Sequence, residues 1–309
     1  MRRITLICAS ICAPICAGAA TIALALSGCQ AVMNITDQSA QIASSAGVLE
    51  KDKADAISKS SKAVAKAAEE ITPEQEYFIG RAVGANILSF YKIYTKDPAL
   101  TAYLNKICLA IAINSPVPQI YNGYHAAVLD SSEINAFATS GGHIFVTRGL
   151  IAATKSEDAL AAVIAHEIAH IQLHHSINAI DNSRLTQALL VVGSSAAAAS
   201  KNKDLIKLTK IFDESVSEIV TTMVEKGYSQ SQEFDADKTA LALLAAAGYD
   251  PSSIVEMLES LKTTAQKGGF GKTHPTPAKR IAAVQKSVQD YPSSNTRSYR
   301  EKRFKTALK

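Results

Sequence analysis

The hydrophobic positions in residues 73–113 predict two amphipathic helices. Thr72 can cap the first of them, and Pro73 suits its first position because that position needs no backbone N–H. The second runs from Pro98 to Ile113 and places apolar side chains three and four residues apart on one side. Those side chains are Leu100, Leu104, Ile107 and Ile111, with Cys108 packed beside them as a small hydrophobe.

Beyond residue 116 the pattern changes from helical to extended. Alternating apolar positions predict three short strands, and a Gly141-Gly142 turn joins the last two into a hairpin. An open edge of this small antiparallel sheet could accept an extended peptide as another strand, whereas a covered edge would make the hairpin purely structural. The predicted strands are Tyr124–Leu129, Asn135–Thr139 and His143–Thr147.

A long helix follows the sheet and carries the sequence HEIAH at residues 166–170. Ser156 can cap this helix, two acidic residues occupy its first turn, and neither Gly nor Pro occurs from Ala159 to His175. Its flanks are apolar and small. That composition is typical of a buried helix rather than of an exposed one that happens to contain two histidines.

The spacing within HEIAH suits metal-dependent hydrolysis. His166 and His170 lie one helical turn apart, so both imidazoles can bind the same metal ion. Glu167 projects about 100° round the helix from His166, where it can take a proton from a metal-bound water molecule. Cys29 and Cys108 show no paired metal spacing, so histidine and carboxylate must hold the metal.

A catalytic zinc site of this kind needs a third protein ligand. His174 and His175 follow the motif, but His174 lies two turns beyond His166 on the same helix and cannot complete a tetrahedron. Glu233 and Asp237 stand four residues apart, so Glu233 can bind the metal while Asp237 hydrogen-bonds a ligand histidine. On spacing alone, this pair could equally be an acidic turn at the surface.

Four motifs taken in order resemble the HtpX-like and BepA-like zinc metalloproteases, which are relatives of the CAAX prenyl proteases. They are HEIAH, GYSQSQEFDAD at 227–237, Thr273-His274-Pro275 and Arg280, and the likeness covers roughly residues 73–290. It implies an α+β, helix-dominated, zincin-like fold of the gluzincin type with a small antiparallel sheet. The residues it implies are His166, His170 and Glu233 for binding one Zn²⁺, Glu167 as catalytic base, and Asp237 and Arg280 as support for the ligands.

The chain departs from that family near the third ligand. Gln230 stands where many relatives have Arg, and Asp235 stands where many have Glu. Neither is a ligand position, so only local packing is in doubt. The membrane-spanning helices of the HtpX branch and the helical repeats of BepA have no counterpart here, so the closest type is a short, lipid-anchored member.

His274 allows three interpretations. It follows the glycines at 268, 269 and 271 and precedes Pro275 and a predicted helix that could reach Gln289. Its side chain could donate to a developing oxyanion, occupy the open zinc position as a fourth ligand in a resting enzyme, or cap the helix. We place His274 in the catalytic machinery and favour the fourth-ligand role, because the glycines would let the loop swing away.

The first 28 residues predict a bacterial secretory leader. Arg2 and Arg3 precede an apolar run that ends in Leu-Ser-Gly-Cys29, which resembles the lipobox of lipoproteins. In such proteins the cysteine is acylated and anchors the mature chain, and Gln30 after it favours the outer membrane. An uncleaved transmembrane helix is the alternative, because the run is long enough to span a bilayer.

Charge and composition limit the remaining possibilities. The 309 residues carry a formal net charge of +4 with no basic body for nucleic acid, so no nucleic-acid partner is predicted. The last thirteen residues hold six basic side chains and one acidic one, and we expect a solvated end or one that faces lipid headgroups. The role of the Ala/Ser-rich segment 186–200 stays open. The predicted organisation is a leader at 1–28, a tether at 29–72, a protease domain at 73–290 and a basic tail at 291–309.

Together these features predict a zinc endopeptidase of the bacterial cell envelope that cleaves misfolded or unassembled envelope proteins. It would be lipid-anchored to the outer membrane and face the periplasm, with unfolded proteins and the membrane as its partners. The alternative is a chaperone-like assembly factor for outer-membrane proteins with little proteolysis. The intact HEIAH and Glu233 favour the enzyme, since a binding module gains nothing from Glu167.

Overall fold

The computed structural model of the protein describes residues 71–178, 213–214, 216–262, 269, 273–274 and 277–308. All of them belong to the unit that spans Ile71–Lys309. The predictions on Cys29, on most of the tether and on the segment 186–200 lie outside the described residues.

Two capped helices open the fold, α1 (Pro73–Phe90) and α2 (Pro98–Ile113). The Thr72 hydroxyl accepts a hydrogen bond from the Gln75 backbone N–H, and the Gln75 side chain accepts one from the Thr72 N–H, so the predicted cap is confirmed. Helix α2 has the predicted bounds and buries the predicted apolar face. Cys108 is buried there, which raises the pKa of its thiol to about 12 and suits a packing residue.

Three strands form the sheet: β1 (His125–Leu129), β2 (Ala136–Thr139) and β3 (His143–Thr147). Strands β2 and β3 pair antiparallel as the predicted hairpin, but β3 lies between the other two strands and pairs with β1 in parallel. The sheet is therefore mixed, and the prediction of a purely antiparallel sheet is wrong, although the α+β fold class is confirmed. A tight turn can join only antiparallel neighbours, whereas residues 130–135 carry the chain from β1 to the far edge of the sheet.

The hairpin turn spans residues 140–142 and requires glycine at its last two positions. Gly141 and Gly142 have φ angles of 80° and 93°, in the left-handed region. A Cβ atom on Gly142 would lie 2.3 Å from the Gly123 carbonyl oxygen. The predicted two-glycine turn is confirmed, and a larger residue at Gly142 would collide with fixed backbone.

The two edges of the sheet differ. Ile93 bridges Leu129 on the outer side of β1, and the Tyr94 N–H donates to the Val128 carbonyl oxygen at 2.8 Å. Within the described part of the chain, no strand pairs with the outer edge of β2. Strand β2 is therefore an edge strand, although all four of its residues are buried.

The remaining named elements of the described chain are helices, together with a π-helical turn at Thr222–Lys226. They are α3 (Arg148–Ala153), α4 (Glu157–Gln172), α5 (His175–Asn178), α6 (Gln230–Ala246), α7 (Ser253–Lys262), α8 (Pro277–Val288) and α9 (Arg297–Ala307). Helix α4 is the central one, because it is buried along nearly its whole length and contacts α6, α7, α2 and the sheet. None of the described helices is both long enough and apolar enough to cross a membrane.

Helix α9 joins the core through two arginines. Arg300 donates to both carboxylate oxygens of Asp158, one at 3.1 Å, and Arg303 Nε donates to Glu157 Oε2 at 2.9 Å. Both acidic side chains are buried in the first turn of α4. Helix α9 thus closes the N-terminal end of α4. The expectation of a solvated basic end is wrong for Arg300, which is buried, whereas Arg303 pairs with Glu157 but stays exposed.

Candidate metal centre

Helix α4 carries the HEIAH side chains into the interior. Ser156 caps it by accepting a hydrogen bond from the Ala159 N–H, as predicted. His166, Glu167 and His170 are each at most 1% exposed. The alternative of an exposed helix with two histidines is therefore wrong.

Helix α6 supplies the carboxylates. Ser229 and Gln232 form a capping box that fixes its start, so Glu233 falls in the first turn and Asp237 one turn later. Both carboxylates are at most 1% exposed. The pair is not an acidic surface turn, because α6 packs along α4 and directs both side chains into the contact.

Four buried side chains converge where these helices meet. The potential ligand atoms of His166, His170, Glu233 and His274 all lie within 4.8 Å of one another. The His166 and His170 Nε2 atoms are 3.0 Å apart. The Glu233 carboxylate lies 3.5 Å from His166 Nε2 and 3.6 Å from His170 Nε2.

These separations suit one zinc ion. Ligand atoms around a tetrahedral zinc lie roughly 3.3 Å apart, since Zn–N and Zn–O bonds are about 2.0–2.2 Å long. Two imidazole lone pairs and a carboxylate that face one another repel unless a cation lies between them. The donor set of nitrogen and oxygen atoms is also one that zinc accepts. These four side chains could therefore hold a single Zn²⁺.

Charge within the cluster is unevenly distributed. Burial lowers the pKa of His166, but hydrogen bonds to Asp237 and Glu233 outweigh it and raise that pKa to about 9. Burial, together with the charge on His166, holds the pKa of His170 well below its usual range. The Glu233 carboxyl is buried, yet His274 and Arg280 hold its pKa well below the usual value. The cluster thus retains an anionic carboxylate, the form in which Glu233 could bind a metal ion.

Arg280 and Asp237 contact the potential ligands Glu233 and His166. Arg280 is fully buried and donates to Asp237 from Nε at 2.7 Å and from Nη2 at 2.6 Å, while its Nη1 lies 2.7 Å from Glu233 Oε2. Asp237 Oδ1 lies 3.1 Å from His166 Nδ1. A carboxylate in this position fixes the tautomer and the orientation of an imidazole ligand. The sequence singles out Arg280 only by family resemblance.

His175 has a contact that sequence reasoning missed. Its Nδ1 lies 2.8 Å from His170 Nδ1, on the side of the ring away from the cluster. Helix α4 ends because His174 adopts a left-handed conformation with φ 54°, and this turn directs His175 back into the interior. A helical extrapolation from His170 would place His175 elsewhere, so no spacing rule reveals this contact.

The segment with His274 lies over the cluster. His274 Nδ1 is 2.9 Å from Glu233 Oε1 and 3.3 Å from His166 Nε2. Its neighbour Thr273 donates from the hydroxyl to Asn135 Oδ1 at 3.4 Å, beside the start of β2. His274 therefore lies within the group of potential ligands and also beside the sheet edge.

Fold and site together are typical of a metallopeptidase, with two histidines and a glutamate on neighbouring helices as potential ligands. Residues 98–288 match the family model described as Peptidase family M48, and the chain belongs to that family. Members are zinc metalloproteases, so the predicted resemblance, enzyme class and cofactor are confirmed.

Several characterised proteins are similar over the same region. The chain is 28% identical over 194 residues to the beta-barrel assembly-enhancing protease of Escherichia coli K12, covering 60% of this chain and 38% of that protein. It is 29% identical over 189 residues to the mitochondrial metalloendopeptidase OMA1 of Schizosaccharomyces pombe, covering 60% and 52%. It is 25% identical over 218 residues to a protease HtpX homolog of Acaryochloris marina, covering 62% and 70%. The chain thus spans well under half the length of the beta-barrel assembly-enhancing protease.

The two carboxylates of α6 should respond differently to removal of their charge. Asp237→Asn should weaken zinc binding by about 10- to 100-fold, because it would remove only the support of a ligand. Glu233→Gln should weaken zinc binding by far more, because it would remove a ligand itself. Asp235→Asn, at an exposed position of the same helix, is the control. Competition with a chromophoric chelator measures the affinities. Full zinc retention in Glu233→Gln would contradict the assignment.

Proposed function

We propose that this chain is a zinc endopeptidase of the bacterial cell envelope that cleaves misfolded or unassembled envelope proteins. The observation that carries the proposal is the buried convergence of His166, His170 and Glu233 with Glu167 beside them. The three would bind the metal, and Glu167 would serve as the base. Asp237 and Arg280 would keep the ligands oriented.

Glu167 has the surroundings of a catalytic base. Zinc, when bound, would polarise the scissile carbonyl and acidify a water molecule. Burial raises the pKa of Glu167, which makes its carboxylate a stronger base than an exposed one. Among the described residues, Glu167 Oε1 accepts no hydrogen bond and lies 3.6 Å from His274 Nε2, so that oxygen could accept the proton of the attacking water. The same group can then protonate the leaving amine.

Strand β2 is the proposed site for substrate. An extended peptide would pair with its outer edge through backbone hydrogen bonds, which are indifferent to side-chain sequence. Such pairing requires an unfolded segment, which supports misfolded proteins as the substrate class. Thr273 contacts Asn135 at the start of β2, so the segment with His274 would have to move for a substrate to lie along the whole edge.

His274→Ala should raise cleavage of an unfolded protein. If His274 is a resting fourth ligand, its removal opens the position that water and substrate need, although zinc is then held more weakly. His125→Ala, which changes an exposed histidine of β1, is the control and should leave the rate unchanged. A fall of about 100-fold would instead indicate an oxyanion donor. An unchanged rate would contradict both roles.

The envelope location rests on the leader and on the relatives. Two arginines, an apolar run and Leu-Ser-Gly-Cys29 support a lipid-anchored protein that faces the periplasm. The similarity to beta-barrel assembly-enhancing proteases supports an outer-membrane setting.

Cys29→Ala should release the protein from membranes or leave its leader uncut, because acyl chains on this cysteine would be its membrane anchor. Cys16→Ala, within the leader but without the lipobox residues before it, should fractionate as the wild type does. Membrane fractionation and mass spectrometry of the N-terminal peptide check both variants. An N-terminal peptide without acyl chains on Cys29 would refute the anchor.

Digestion of one outer-membrane protein in unfolded and folded forms tests the substrate class. We expect the zinc-loaded chain to cut the unfolded form and to spare the folded one. The relatives named as assembly-enhancing make an assembly factor the second candidate. Faster folding of the same outer-membrane protein with no cleavage would favour that candidate.

A further inference from the structure

Tyr228 places a hydroxyl group in the interior of the protein. The residue is 7% exposed, and its OH has no hydrogen-bond partner among the described residues. Buried hydroxyl groups are nearly always hydrogen-bonded, so an exception calls for an explanation. An apolar phenylalanine would fill the same space without leaving a polar atom unpaired.

The ring of Tyr228 is fixed against the metal cluster. It stacks on His170 with ring centroids 4.2 Å apart and an interplanar angle of 20°. Its centroid lies 6.1 Å from that of His274. The Tyr228 backbone N–H also donates to the Thr273 carbonyl oxygen at 3.2 Å. Ring and backbone together therefore fix Tyr228 beside the candidate metal ligands.

The hydroxyl is a donor rather than an anion. A phenol has an ordinary pKa of about 10, so it is protonated at neutral pH. The proton therefore stays on the oxygen in the resting protein. A neutral phenol beside the candidate metal ligands can donate a hydrogen bond.

Among the described residues, two other donor side chains near the cluster are already engaged. Arg280 directs its guanidinium at Asp237 and Glu233. His274 contacts Glu233 and His166 within the group of potential ligands. Hydrolysis of an amide needs a donor for the carbonyl oxygen as it gains negative charge.

We propose that Tyr228 is a catalytic residue whose phenolic O–H donates a hydrogen bond to the oxygen of the scissile carbonyl as that oxygen gains charge. The assignment rests on the proposed peptidase function. No proton is transferred, since the phenol donates a hydrogen bond and keeps its hydrogen. The missing partner of the resting hydroxyl is then supplied by the substrate during the reaction.

Tyr228→Phe separates this role from a structural one. It keeps the ring that stacks on His170 and removes only the hydroxyl. We expect kcat to fall about 100- to 1000-fold, as for loss of one oxyanion donor, while KM changes less than about twofold. Because no resting hydrogen bond is lost, the thermal midpoint of the zinc-free chain should be unchanged or higher, and zinc content should stay at one per chain.

Two further measurements distinguish a wrong assignment of Tyr228 from a wrong peptidase function. Affinity for a phosphinic peptide, whose phosphinyl oxygens imitate the charged carbonyl oxygen, should fall in Tyr228→Phe by about the same factor as kcat. Tyr299→Phe, at an exposed position of α9, should match the wild type in every assay. If Tyr228→Phe cleaves and binds as the wild type does, the assignment of Tyr228 is wrong but the peptidase function stands. The same holds if its loss of activity is explained by a lower thermal midpoint or by loss of zinc. A zinc-loaded wild type that neither cleaves nor binds the phosphinic peptide would overturn the peptidase function, and the assignment with it.

Discussion

Replacing Glu167 by Gln is expected to reduce cleavage of an unfolded protein by about 10²- to 10⁴-fold, the range of a general base. The amide has nearly the same shape as the carboxylate but cannot accept the proton of the attacking water. Zinc should stay bound, because His166, His170 and Glu233 are unchanged.

The stability of Glu167→Gln provides the control. Burial raises the pKa of Glu167, which means that its anion is destabilised in the folded chain, and a neutral amide removes that penalty. The variant should therefore unfold at the same or a higher denaturant concentration than the wild type. Single-turnover cleavage measures the rate, metal analysis measures the zinc content, and denaturant unfolding measures the stability. Cleavage within about tenfold of the wild type would exclude Glu167 as the base.

Replacing Arg300 by Met should destabilise the folded chain by about 3–5 kcal/mol, the usual effect of removing one partner of a buried ion pair. Asp158 is fully buried and accepts from two nitrogens of Arg300. Without the guanidinium, Asp158 is left as a charge in the interior at the start of α4.

Lys302→Met, an exposed change on the same helix, should alter stability by less than about 0.5 kcal/mol. Urea unfolding followed by circular dichroism gives the free energy of unfolding for both variants. If Arg300→Met and Lys302→Met are equally stable, α9 contributes no more to the stability of the fold than a solvated tail would. The comparison holds whether or not the chain is a peptidase, because neither residue contacts the metal cluster.

The parts of the site that could be predicted are those formed by residues close together in the sequence. His166 and His170, like Glu233 and Asp237, stand four residues apart on helices whose capping residues are visible in the sequence. From spacing alone, Glu233 and Asp237 could be a metal ligand with its supporting residue, or an acidic turn at the surface. Only the family resemblance joined the two helices, since no local pattern states which distant elements pack together.

What could not be predicted depends on contacts between distant residues. Arg300 meets Asp158 across 142 positions, and a run of basic residues looks the same whether it is solvated or paired with buried acids. The parallel pairing of β1 with β3 depends on where the chain crosses the sheet, while strand patterns specify only burial. The left-handed turn at His174 is a conformation that few non-glycine residues adopt, so no propensity indicates it.

Zinc titration of the metal-free chain tests the central claim most directly. The purified protein would be stripped with a chelator, and cleavage of an unfolded outer-membrane protein would be followed as zinc is added back. We expect no cleavage without metal and a rise that is complete at one equivalent of zinc, because His166, His170 and Glu233 form a single site. Cleavage that persists in the stripped chain, or a fully loaded chain that cuts nothing, would contradict a zinc peptidase.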